Sequence, residues 1–105
     1  MLTEEMQTIL AQNKQQLATL CQRYHIKSLK LFGSFLHGDS TKESDIDILV
    51  EFQEEHYPGL ILFMEIQENL QTILQREVDL NTKEDLHNFF QEKVLKEAQE
   101  IYVAA

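Results

Sequence analysis

At 105 residues, with 43% hydrophobic and 26% charged side chains, the chain has the make-up of one globular domain, residues 1–105, with a buried core. Nine Lys and Arg against eighteen Asp and Glu leave a net charge of −9. That balance excludes a main role in tracking a nucleic-acid backbone, which needs a basic face to release counterions.

No apolar run is long enough to span a bilayer, and the start "MLTEEMQTIL" lacks the basic segment and apolar core of a signal peptide. The single cysteine, Cys21, fits a reducing compartment, so a cytoplasmic protein without membrane contact is expected. Thr3 is a plausible N-cap, and Met6, Ile9, Leu10, Leu17, Leu20, Cys21 and Tyr24 follow at three- and four-residue spacing. They predict an amphipathic helix over residues 4–24, with Cys21 as core filler.

"SLKLFGS" reads as a strand, with Leu29 and Leu31 on one face, and "HGDSTKES" as polar turn material. In "DIDILVEF", Ile46, Ile48, Val50 and Phe52 alternate with Asp45, Asp47, Leu49 and Glu51, which predicts a second strand. Phe63, Ile66, Leu70, Ile73 and Leu74 mark a second helix, and "REVDLNT" a third strand with Val78 and Leu80 opposed to Asp79. Thr82 to Asp85 has the spacing of a capping box. It opens a third helical region, carried by Leu86, Phe89, Phe90, Val94, Leu95, Ala98 and Ile101, with a break near His87-Asn88. The order α-β-β-α-β-α predicts a small α/β (α+β) domain: a three-stranded mixed sheet with flanking helices.

"GSFLHGDS" invites comparison with the phosphate loop of NTPases. Asp39, however, occupies the lysine position, where a carboxylate repels phosphate, and no long helix follows. What survives is a glycine-hydroxyl turn at a strand end, able to approach a phosphate closely. Most such turns are only turns.

Asp45 and Asp47 stand at i and i+2 on a strand and so project from one face. Like charges that close raise each other's protonation unless a cation lies between them. Hard oxygen ligands suit Mg²⁺, which shares its shell with substrate phosphates. A lone Asp-x-Asp would be read as a solvated sheet face. Asp79 changes the balance. On a neighbouring strand of the same alternation it brings three carboxylates to one face, and two metals held there can clamp both oxygens of an in-line phosphoryl displacement.

Gly33-Ser34, ten intervening residues and Asp45-x-Asp47 resemble the signature of the DNA polymerase β-type nucleotidyltransferase superfamily. The chain length, the early helix, "REVDLNT" and "LHNFFQEKVLKEAQEIY" resemble its smallest members, the minimal nucleotidyltransferases encoded beside HEPN-domain toxins. The likeness covers nearly the whole chain. It implies a small nucleotidyltransferase fold, with Asp45 and Asp47 binding two Mg²⁺ ions and Asp79 completing the catalytic metal site. It further implies Gly33 and Ser34 as the polyphosphate grip and ATP as donor. AMP would pass to a tyrosine of a cognate HEPN ribonuclease toxin, silencing it within a hetero-oligomer. An acidic antitoxin suits a more basic toxin.

The chain departs from the family pattern at one place. Many relatives read Gly-Ser-x-Ala-Arg-Gly, and Leu36-His37-Gly38 stands here instead. His37 offers a donor without a fixed charge, and a phosphate contact and a plain surface turn weigh equally. His25, His56 and His87 show no ligand spacing, and Glu51 reads as solvated. Two further functions remain: an antitoxin that neutralises by binding alone, through "YPGLILFMEI" or the C-terminal "IYVAA", and transfer to an antibiotic or RNA end. The latter relatives carry an added helical domain, for which 105 residues leave no room.

Overall fold

The computed structural model describes residues 4–33, 45–86 and 88–104. Helix α1 (Glu4–Gln12) and helix α2 (Lys14–Arg23) precede strand β1 (Ile26–Phe32) and strand β2 (Ile46–Phe52). Helix α3 (Leu60–Leu74) leads to strand β3 (Val78–Asn81), followed by a 3-10 turn (Lys83–Asp85). Helix α4 (Asn88–Glu97) and strand β4 (Gln99–Val103) complete the order. The sheet order is β3-β2-β1-β4. β1 is antiparallel to both β2 and β4, whereas β2 and β3 are parallel and joined through α3. No described helix is long and apolar enough to cross a membrane.

The mixed α/β architecture is the expected one, with corrections of detail. Among the described residues the sheet has four strands rather than three, because the third helical region stops at Glu97 and residues Gln99–Val103 pair with β1. At the end of α4 the Val94 carbonyl accepts the Ala98 N–H at 2.7 Å. Beyond it, "QEIYV" satisfies backbone groups on the outer side of β1 that would otherwise need water. The first helix is divided at Asn13, whose side-chain amide donates to the Ile9 carbonyl at 2.8 Å and competes with the regular ladder there. The Thr82–Asp85 capping box forms: the backbone N–H and hydroxyl of Thr82 both donate to Asp85 Oδ2, at 2.9 and 3.0 Å. It closes a single 3-10 turn, and α4 begins separately at Asn88. The expected cap Thr3 lies outside the described residues.

The two faces of the sheet differ. One carries Leu29, Leu31, Ile46, Ile48, Val50, Val78 and Leu80 into the main core against α1, α2 and α3, with Met6, Leu20, Cys21, Ile66 and Leu70 opposite. Burial pushes the Cys21 thiol up to about 12, so it is an inert core group. The other face carries a small cluster of Phe32, Leu49 and Val94, where α4 covers only part of the sheet.

Candidate active site

Asp47 lies on the partly covered face, opposite Phe32 on β1 and beside Asp79 on β3 in register. Alternation dictates this placement. Ile46 and Ile48 are fully buried on the core face, so Asp47 between them must point the other way. Val78 and Leu80 fix Asp79 likewise. Asp47 is half-buried, whereas Asp79 and Asp45, just before β2, are exposed.

The electrostatics carry the consequence. Burial, the neighbouring Asp79 and Asp45 charges, and a hydrogen bond to the Asp79 carboxyl together push Asp47 up to about 6. Two adjacent carboxylates with a third in range cannot all ionise cheaply. A divalent cation between them would remove that penalty, so the donor set fits a hard oxygen-seeking ion. Among the described residues no three ligating side chains close into a cage. Magnesium does not ask for one: it is commonly held by one or two carboxylates, with water and substrate phosphates filling the shell.

Gly33 follows β1 directly, with φ +82°, and a Cβ built on it would overlap the Asp47 carboxylate, falling 3.0 Å from its Cγ. Both the left-handed backbone and the close approach therefore require glycine. The turn and the carboxylates predicted from separate motifs meet here. Ser34 and His37, the other predicted phosphate-contacting residues, lie outside the described residues.

The sequence reading missed two positioning residues. β3 is an outer strand, and the N–H groups of Val78 and Leu80, on either side of Asp79, donate to Gln71 Oε1 (3.0 Å) and Gln67 Oε1 (3.1 Å) of α3. The two glutamines sit at i and i+4, on one helix face, and clamp the backbone that presents Asp79. Two glutamines at i and i+4 beside the apolar stripe of a helix were the available signal. His25 and His56 are exposed, as expected, and stack at 4.0 Å; His87 lies outside the described residues. Glu51 is exposed and pairs with Lys27 at 3.7 Å.

A groove of about 440 Å³ begins one step along the sheet from the carboxylates. Lys30, Leu49, Glu51, Tyr57, Lys83 and Leu95 are among the residues that line it.

Residues 14–101 match the family model of the nucleotidyltransferase domain. The chain belongs to this family. Among relatives, the protein adenylyltransferase MntA of Thermococcus cleftensis is 38% identical over 100 residues, covering 95% of this chain and 94% of that protein. A solved structure provisionally described as a minimal nucleotidyltransferase superposes with a TM-score of 0.71 at 29% identity, covering 88% of this chain and 91% of that one. A toxin-antitoxin structure with AMP-PNP gives 0.69 at 22% identity, covering 88% of this chain and 74% of that one. The complex of a tri-AMPylated Shewanella oneidensis HEPN toxin with its MNT antitoxin gives 0.64 at 20%, covering 90% and 73%. At such identities the last two establish the nucleotidyltransferase fold alone.

Proposed function

We propose that this nucleotidyltransferase is a protein adenylyltransferase and antitoxin, acting as a single unit in the cytoplasm. It transfers AMP from ATP to a tyrosine hydroxyl of a cognate HEPN ribonuclease toxin and releases pyrophosphate. The observation that carries the reading is the Asp47–Asp79 pair, in register and with Gly33 packed against Asp47. Support for a protein acceptor comes from MntA of Thermococcus cleftensis, matched over nearly its whole length, and for a HEPN partner from the tri-AMPylated toxin complex. The AMP-PNP complex supports ATP as donor.

Asp45, Asp47 and Asp79 would hold the magnesium ions, which would neutralise charge on the phosphates and lower the pKa of the acceptor hydroxyl. Gly33 lets the backbone, and with it Ser34, approach the polyphosphate beside Asp47, with His37 as a further phosphate contact. The tyrosine oxygen bonds to the α-phosphorus as the α,β-bridging P–O bond breaks. The electron pair leaves with pyrophosphate, and the phenolic proton is lost to water. The clamp of Gln67 and Gln71 keeps Asp79 at its station throughout.

Incubation with labelled ATP, Mg²⁺ and the HEPN protein should label that protein, and Asp45→Asn with Asp47→Asn should abolish labelling. Undiminished labelling in the double variant would overturn the site. One observation favours a second reading, neutralisation by binding alone: the exposed apolar start of α3, with Ile61 83% and Leu60 74% exposed. Full, stoichiometric and reversible inhibition without nucleotide would select that reading.

A further inference from the structure

Leu60, Ile61 and Met64 are exposed on the first turns of α3, and Tyr57, 67% exposed, stands three residues before them. Leu60 and Ile61 share a helix face with Met64 at i+4 and i+3. The helix spends its other side on the core through Ile66, Leu70 and Leu74. A contiguous group of large apolar side chains on a small, otherwise charged protein marks a contact surface.

The patch connects to the candidate site. Tyr57 also lines the groove, which reaches back along β2 to Leu49 and Lys30, one alternation from Asp47 and Phe32. From Asp47 to the end of β2 at Phe52 is about 17 Å of strand. A protein seated on α3 could therefore lay an extended segment along the groove as far as the carboxylates.

Charge identifies the occupant. Glu51, Glu54, Glu55 and Glu84 line the groove against only Lys30 and Lys83, and exposed Glu65 and Glu68 follow the patch on α3. A second copy of this chain would bring the same acidic rim against itself, at a net charge of −9 each. A basic rim around an apolar centre meets no such repulsion. We infer that the groove from Leu49 to Tyr57 and the apolar start of α3 form the docking surface for the protein acceptor, whose contact face is apolar at its centre and basic at its rim. This deepens the proposed adenylyltransferase reading and rests on it for the acceptor.

The test uses the full chain and the HEPN protein, with Ile61→Lys and, separately, Glu54→Lys. Neither residue belongs to the catalytic machinery. Isothermal titration should show the Kd for the HEPN protein weakened at least tenfold by Ile61→Lys and severalfold by Glu54→Lys, the latter effect shrinking as salt is raised. The KM for that protein should rise in parallel, while kcat and the Kd for AMP-PNP stay within twofold. If wild type binds the HEPN protein with these dependences but transfers no AMP, the adenylyltransferase reading fails and the surface stands. Unchanged Kd in both variants, no binding by wild type, or a homodimer that Ile61→Lys dissolves would each overturn the surface.

Discussion

The two faces of the sheet are built from the same strands and obey opposite rules. On the core face, fully buried Ile46 and Ile48 meet three helices. On the other, Asp47 sits between them in sequence, half-buried among carboxylates under partial cover from α4. Stability is concentrated on the first face, and the second keeps an electrostatic strain that a cation can relieve. Such a division is what a folded site for charged ligands requires: a rigid support with unfavourable charge held on it.

Ile48 and Asp47, neighbours on β2, should respond with opposite signs, and the site turn at Gly33 should follow the core. Ile48→Ala leaves a cavity in the main core and should cost about 3 kcal/mol in urea denaturation. Gly33→Ala forces a left-handed alanine against the Asp47 carboxylate. It should cost about 2 kcal/mol and reduce AMP transfer more than a hundredfold, because whichever group yields, the site distorts.

Replacing Gln67 and Gln71 together by leucine should cost roughly 1–2 kcal/mol by exposing two strand N–H groups without partners. It should lower kcat while leaving the Kd for the HEPN protein unchanged. A variant that loses stability alone would show that the clamp supports the fold but not Asp79.

The smallest effect runs the other way. Asp47 holds its proton up to about 6 in the folded chain, above the ordinary 3.8. Its contribution to stability is fully present below pH 3.8 and is lost as pH rises through 6. Asp47→Asn should therefore match wild type near pH 3.5 and exceed it above pH 7, by on the order of 1 kcal/mol once solvent screening is allowed for. Thermal melts across that range read the difference directly. Mg²⁺ should stabilise wild type at pH 7.5 and leave the Asn variant little changed, and that variant should transfer no AMP.

Much of this contrast was legible in the amino-acid order. Alternation placed Asp47 and Asp79 on one face because each is flanked by aliphatic residues that have only the core to enter. Gly33 was legible as a turn, but its contact with Asp47 joins residues from two strands and has no local signature. β4 was hidden for another reason. Val94, Leu95, Ala98 and Ile101 continue a helical spacing, and over five residues strand alternation cannot be told from it. Only the need of β1 for a second partner decides the matter. Asn13 broke the first helix without disturbing its apolar stripe, so periodicity passed over it.

The glutamine clamp has one more consequence. An open sheet invites another chain to add a strand at its border, and proteins must block such growth. The amide oxygens of Gln67 and Gln71 already occupy the N–H groups of Val78 and Leu80, the donors an incoming strand would need. Polymerisation through that border is blocked by two side chains of α3, and the approach to Asp79 stays open.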